Sequence, residues 1–250
     1  MRQNKRLDSI LTRLSEHGSV EVTGLAGDLG VSMATIRRDL ELLESQRLLS
    51  RTHGGAVSHG VLYELPLRYR SGRHEAEKHR IADAAITRLD DARVVGLTGG
   101  TTTTEVARRL AGRTLTVVTN ALNIAAELAV RPNLKLLVTG GVARPESYEL
   151  VGPLADRTLD EVNIDVVFVG VDGASGAGMT TYHEVEAHTN RRMIERARRV
   201  VVVCDASKVG RSALAVICPA RDVDELITDP TADEAALAEL QAAGVSVLRV

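Results

Sequence analysis

The sequence predicts an α/β chain of two unequal parts: a small helical domain closed by a hairpin, then a larger, open and mostly parallel sheet. Two observations carry this. Over residues 5–57, apolar residues recur at spacings of three and four in three short segments, and the alternating stretch LLSRTHGGAV follows the last of them. That is the pattern of helices and then of paired strands. From residue 93 the rhythm changes. The runs VVGL, LTVV, LKLLV, DVVFVG, VVVVC and ALAVI alternate with helical stretches such as TEVARRLA and NIAAELAV. Continuous valine-rich strands separated by helices indicate a sheet buried on both faces.

Leu7, Ile10, Leu11 and Leu14 form the first helical stripe, over residues 5–17, which His17-Gly18 ends. Ser19 to Val22 alternates. Thr23 is placed to cap a second helix that carries Leu25, Ala26 and Leu29 and stops at Gly30. Gly24 and Gly27 inside it cost roughly 1 kcal/mol each against alanine, so that helix depends on packing. Ser32 caps the third helix, residues 32–44. At about 100° per residue, Met33, Ile36, Leu40 and Leu43 share one face. Ala34 and Arg38 point nearly the other way, with Thr35 and Arg37 on the flanks, while Asp39, Glu41 and Glu44 come later. The Gly-Gly of RTHGGAV turns a small hairpin. Residues 58–75, with mixed polarity and Pro66, read as a linker, and a helix with Ile81, Ala84, Ala85 and Leu89 inward follows.

Composition limits the function. A chain of 250 residues, 44% hydrophobic and 26% charged, is globular and fits one or two domains. No apolar run approaches the ~18 residues of a membrane span, and MRQNKRLDSI lacks the apolar core of a signal peptide. The two cysteines, Cys204 and Cys218, lie in apolar runs and make no metal or disulfide framework. A reducing, cytoplasmic setting is expected. The net charge of −2 argues against a general nucleic-acid binder. Residues 1–80, however, hold 13 basic and 10 acidic residues, against 18 and 23 in the rest. Any DNA contact must come from a local patch.

Arg37 and Arg38 stand just inside the start of the third helix, where the helix dipole favours negative charge. Three short helices and a hairpin compose a winged helix-turn-helix, whose third helix lies in the major groove with its N-terminal residues nearest the base edges. Phosphates would then supply the negative charge, and arginine can bond guanine O6 and N7 in a bidentate way. The expected DNA contacts are Ser32, Ala34, Thr35, Arg37 and Arg38 on the helix, with Arg51 and His53 from the wing. The competing reading is a solvated face in which the arginines pair with Asp39 or Glu41.

The stretch RLDSILTRLSEHGSVEVTGLAGDLGVSMATIRRDLELLESQRLLSRTHGGAV resembles the N-terminal domain of the DeoR family of bacterial sugar-metabolism regulators, TIRRDL and RTHGGAV being the specific cores. The resemblance implies a recognition helix at 32–44 and a wing near 48–57.

In the second part, GLTGGTTTTE follows a strand and opens a helix. Small residues there let backbone N–H groups face an anion, and the hydroxyls of Thr101, Thr102 and Thr103 could add donors. The loop has neither the Gly-Lys-Ser/Thr of a P-loop nor a dinucleotide fingerprint, and it fits a structural cap equally well. Polar clusters end neighbouring strands at Thr119-Asn120, at Thr139-Gly140-Gly141 with Arg144, at Asp172-Gly173 and at Asp205–Lys208. Ligands of open α/β sheets bind beyond that edge. This half also resembles the family's C-terminal domain, a sugar-phosphate sensor related in fold to ribose-5-phosphate isomerase. The resemblance implies phosphate binding at Gly100, Thr101, Thr102 and Thr103, and sugar contacts from Asn120, Asp172, Glu186 and Lys208. Thr98, Gly141 and Arg144 complete the expected effector site. Thr98 stands where the family usually has aspartate, and Asn190 where it usually has lysine.

An isomerase needs a carboxylate base over the carbon acid. The isomerase's Asp-Gly-Ala-Asp reads Asp172-Gly173-Ala174-Ser175 here, without the second carboxylate. In His183-Glu184-Val185-Glu186-Ala187-His188 the histidines are five apart, about 140° away from each other on a helix, not the four of a zinc helix. The expected protein is therefore a regulator with no catalytic residue, cofactor or metal. Its domains are 1–57 for DNA binding, 58–75 as linker and 76–250 for an effector. Its partners are operator DNA, a phosphorylated sugar and further copies of itself.

Overall fold

The computed structural model describes residues 3–46, 48–58 and 65–250. It divides into two compact units, 1–72 and 73–250.

The first unit opens with α1 (Gln3–His17), β1 (Ser19–Glu21), α2 (Val22–Leu29) and α3 (Met33–Ser45), followed by β2 (Ser50–Arg51) and β3 (Gly55–Val57). Leu7, Ile10, Leu11 and Leu14 of α1 are buried with Leu25, Ile36, Leu40, Leu43, Leu48 and Leu49 in one core. The strands form an antiparallel sheet in the order β1-β3-β2. Its closeness explains Gly55: a Cβ there would lie 1.9 Å from the Val20 carbonyl oxygen. Gly30 ends α2 in the left-handed region, at φ 63°. Two expectations need correction. Thr23 does not cap α2; the helix begins at Val22, whose N–H donates to the Gly54 carbonyl at 2.8 Å. Met33 is not core but 45% exposed, and Asp39 takes an inward position instead, 1% exposed. Asp39 can be buried because both oxygens accept from the Arg6 guanidinium, so the two charges enter the core as a bonded pair.

The expected linker is also shorter than 58–75. Ser58 still bonds to Gly18 as the tail of the hairpin. A short helix, α4 (Leu67–Arg70), packs on the first unit through buried Tyr69. The Tyr69 hydroxyl donates to Gln46 Oε1 at 2.5 Å. Residues 59–64 of that linker lie outside the described residues.

The second unit contains α5 (Glu75–Ala85), β4 (Val94–Leu97), α6 (Thr101–Leu110), β5 (Leu115–Thr119), α7 (Leu122–Leu128) and β6 (Leu134–Val138). A hairpin of β7 (Val142–Ala143) and β8 (Leu150–Val151) leads to α8 (Pro153–Asp160) and β9 (Ile164–Val169). Then come β10 (Gly173–Ser175), β11 (Gly178–Thr181), α9 (Glu184–Glu195), β12 (Ala197–Val203), β13 (Ala215–Cys218), β14 (Glu225–Thr228), α10 (Glu234–Ala242) and β15 (Ser246–Arg249). Seven strands form one parallel sheet, ordered β15-β14-β12-β9-β4-β5-β6. Successive residues face opposite cores. Val117, Val166, Phe168 and Val201 pack with α5, α6 and α7, while Val118, Val167, Val169 and Val202 pack with α9 and α10. This double burial is why those strands read as unbroken apolar runs. ALAVI is the exception. Its strand, β13, joins a small antiparallel sheet, β10-β11-β13, and alternates between exposed Val216 and buried Ile217. Because the large sheet is parallel, the ends of β4, β5, β9 and β12 share one edge.

Candidate functional site

On α3 the Ser32 hydroxyl accepts the Thr35 N–H at 3.2 Å and lies 2.9 Å from the Thr35 hydroxyl, which fixes the first turn. Met33, Ala34, Arg37 and Arg38 are exposed. Neither arginine has a hydrogen-bond or ion-pair partner among the described residues. The acids of the helix are engaged elsewhere: Asp39 with Arg6, Glu41 and Glu44 with the wing. The alternative in which Asp39 or Glu41 neutralises these arginines is not what the structure holds. Arg51 on β2 places a guanidinium nitrogen 3.1 Å from Glu41 Oε1, and its backbone N–H donates to Glu44 Oε1 at 3.0 Å. His53 is exposed in the turn between β2 and β3.

At the edge of the large sheet, two strand ends approach closely. The Thr98 hydroxyl accepts the Gly170 N–H at 2.9 Å, and a Cβ on Gly170 would lie 2.6 Å from the Gly99 carbonyl oxygen. Thr98 is fully buried, so its side chain serves the scaffold. Gly100 has φ 129°, a conformation that suits glycine. The hydroxyls of Thr103 and Thr104 both donate to the Gly100 carbonyl, at 3.0 and 2.6 Å. The expected donor on Thr103 is thus spent on a cap, and Thr102 is buried. What the loop leaves open is backbone: Thr104 N–H bonds to Gly100, whereas those of Thr101, Thr102 and Thr103 find no protein acceptor among the described residues. Gly141, at φ 117°, is a backbone position too: a Cβ there would meet the Val151 carbonyl oxygen at 2.8 Å.

Next to this loop lies a polar network. Asn120 Nδ2 donates to Asn190 Oδ1 at 3.1 Å and to Glu149 Oε2 at 3.3 Å, and Asn190 Nδ2 donates to the same oxygen at 3.2 Å. Asn120 Oδ1 is buried without a partner among the described residues. Arg144 bonds Glu186, and Lys208 Nζ lies 3.3 Å from Asp172 Oδ1. The Thr181 hydroxyl donates to Asp172 at 3.1 Å and lies 3.5 Å from Glu186. The structure therefore joins Asn120, Arg144, Asp172, Glu186 and Lys208 into two linked groups around Thr181 and Glu149.

Glu149 is the residue that sequence reading missed. Burial pushes its carboxyl well above the usual carboxylate range, and Glu186 and Asp172 push the same way, against hydrogen bonds from Asn190 and Gly99. It also explains Gly99, where a Cβ would fall 2.3 Å from Glu149 Oε1. The signal was a lone glutamate between Tyr148, which adopts φ 61°, and the apolar Leu150-Val151. Asn190, noted only as a departure, is the relay between Glu149 and Asn120.

His183 caps α9 by accepting the Val185 N–H, and His188 is exposed beside Asp156. Among the described residues no group of three or more histidines, cysteines and acids could hold a metal. Burial raises both thiols, Cys218 to about 12 and Cys204 further. No helix of the described residues is long and apolar enough to cross a membrane.

Residues 6–60 match the DeoR-like helix-turn-helix domain, and residues 73–230 match the DeoR C terminal sensor domain. The chain is 37% identical over 247 residues to the HTH-type transcriptional regulator GlpR of Haloferax volcanii, covering 98% of this chain and 96% of that one. It is 32% identical over 233 residues to the glycerol-3-phosphate regulon repressor of Escherichia coli K12, covering 92% of each. Among solved structures it is similar to ribose 5-phosphate isomerase A of Methanocaldococcus jannaschii, at 20% identity and a TM-score of 0.40 over 58% of this chain and 56% of that one. With both of its units matched and relatives aligned along nearly its whole length, the chain belongs to the DeoR family of DNA-binding transcriptional regulators.

Proposed function

We propose that the chain represses a carbohydrate or polyol catabolic operon in the cytoplasm and leaves its operator when a phosphorylated sugar or polyol binds the second unit. The observation that carries the effector reading is the sheet edge. Three N–H groups without an acceptor among the described residues open α6, beside a network holding Arg144 and Lys208, both neutralised by the site's own carboxylates. A helix N-terminus and two cations suit a phosphate. The phosphate would seat on Thr101–Thr103, with the sugar hydroxyls toward Asn120, Asp172 and Glu186. Thr98 and Gly141 would shape the site through the backbone. A relative named for a glycerol-3-phosphate regulon fits the same ligand chemistry.

Ser32, Ala34, Thr35, Arg37 and Arg38 would face the major groove, with Arg51 and His53 on the flanking backbone. The effector would lower operator affinity, and DNA would weaken effector binding by the same factor. One winged helix reads few base pairs, so a two-fold assembly on paired half-sites is expected. Catalysis is not part of this reading. Asp172 and Glu186 are held by Lys208 and Arg144, and Glu149 is sealed, so none of the three is a free base over a substrate carbon.

The test uses purified protein and a duplex selected from a random library. Addition of glycerol 3-phosphate, ribose 5-phosphate and hexose phosphates in turn should release the duplex for at least one ligand, with that ligand recovered unchanged. Product formation that scales with protein would overturn the sensor reading. A selected duplex that no phosphorylated compound releases would overturn the effector class.

A further inference from the structure

We propose that Met33 determines operator specificity by packing its side chain against the C5-methyl group of a thymine in the major groove. The inference rests on the DNA-reading face described above and adds an apolar contact to it. The helix periodicity places Met33 in the core stripe, yet the structure leaves it 45% exposed while Ile36, Leu40 and Leu43 on the same stripe are sealed. Met33 is the first residue of α3, one turn ahead of the packed stripe. The backbone of that turn is fixed by the Ser32 cap, so the exposure is built into the turn.

Its surroundings identify the occupant. Arg37 lies four residues on, so it neighbours Met33 on the helix surface. Arg37 is exposed beside it, Ala34 and Arg38 are exposed further round the same helix, and the two arginines have no partner among the described residues. An apolar side chain beside an unneutralised cation fits a surface that is anionic overall and carries isolated methyl groups. Duplex DNA is such a surface: thymine presents the one methyl group of the major groove, beside hydrogen-bonding edges that arginine reads. A protein partner would need acidic residues around an apolar contact. A second copy would bring Arg37 and Arg38 against their own like charges.

The experiment removes the methyl group and nothing else. The full-length protein first selects its sites from a random duplex library. Each thymine in the selected site is then replaced by deoxyuridine, and affinities are measured for the wild type, Met33→Ala and Met33→Leu. At one thymine per half-site, loss of the methyl should weaken the wild type about fourfold, the worth of one buried methylene-sized group. Met33→Ala should bind the thymine site more weakly and be indifferent to that replacement. Met33→Leu, which keeps an apolar side chain, should retain the preference. Melting curves of the three proteins should coincide. If wild type and Met33→Ala respond equally to deoxyuridine at every position, the proposal is overturned while operator binding stands. If no site is selected at all, the operator-binding reading falls and the proposal falls with it.

Discussion

The two units treat their cations in opposite ways. On α3, Arg37 and Arg38 stand without partners among the described residues, the acids of that helix being committed to Arg6 and Arg51. At the sheet edge, Arg144 is bonded to Glu186 and Lys208 to Asp172. Burial explains the difference. An exposed guanidinium is solvated by water until a phosphate arrives, so a face for a polyanion can be left uncompensated. A charge withdrawn from water cannot be left alone, because an unpaired buried ion costs several kcal/mol. A buried anion site must therefore arrive with counter-charges in place, and its ligand must exchange partners with them. On the proposed reading, that exchange gives the protein two states that a ligand can favour differently, which a pre-formed face does not provide.

The largest test of this contrast lies within α3 itself. Asp39 is buried against Arg6, whereas Arg38 is exposed on the same helix. Asp39→Ala leaves a guanidinium in the core and should cost about 3 kcal/mol of stability, the low end for a broken buried pair because the unit is small. Arg38→Ala should stay within about 0.5 kcal/mol in the same urea unfolding experiment. In operator titrations Arg38→Ala should instead lose ~1–3 kcal/mol and relax one base preference. Equal stability losses for both variants would remove the distinction between the scaffold charge and the reading charge.

A smaller effect follows from Glu149. Its carboxyl titrates above the ordinary glutamate value of 4.5, chiefly because it is buried. The folded chain thus holds a proton that the unfolded chain has already released. The linkage runs in one direction: the group's contribution is full at low pH and is lost as pH rises through the folded value. Glutamine keeps the shape but cannot titrate. The melting temperature of the wild type, measured against Glu149→Gln, should therefore fall as pH rises above the ordinary glutamate value and level off once the folded carboxyl has ionised. A constant difference would mean that the carboxyl ionises normally in the fold, and that the network at the sheet edge is less sealed than its geometry.

The same contrast governs what the sequence discloses. The proposed reading face is local: Ser32, Ala34, Thr35, Arg37 and Arg38 lie on one helix, and periodicity alone orients them. Periodicity puts Met33 in the core and gives Asp39 no inward role, because an angular stripe does not record where along the helix packing begins, or that Arg6 waits 33 residues away. The parallel sheet was legible from strands buried on both faces. ALAVI looked the same over five residues although β13 leaves Val216 exposed between buried Ala215 and Ile217. The edge strand β15, with the pattern of exposed and half-buried residues in SVLR, carried no such signal. The polar network at the sheet edge is the least legible part. Asn120, Glu149 and Asn190 come from three separate segments, 29 and 41 residues apart in the chain, and only the fold brings their side chains together.

Arg51 sharpens the comparison most finely, because at the proposed DNA face it behaves like the cations of the sheet edge. It is paired to Glu41 and Glu44, yet it sits on the wing, where a phosphate contact is expected. All three side chains are at least one-third exposed, so the pair contributes only ~0.2–1 kcal/mol to stability, and less at high salt. A phosphate can therefore take Arg51 from the acids at small cost. If it does, the double variant Glu41→Gln, Glu44→Gln should bind random duplex more tightly than the wild type. Arg51→Ala should bind all sequences more weakly and lower the salt slope by about one unit. The decisive measurement is the combination of the three substitutions, titrated on random duplex at several salt concentrations. Partner exchange predicts that removing the acids helps less once Arg51 is gone, since part of their effect is to hold that guanidinium away from the backbone. The same gain with and without Arg51 would show that Glu41 and Glu44 act only as nearby negative charge. Arg51 would then remain an ion-paired strut between wing and helix, and partner exchange would be confined to the effector site.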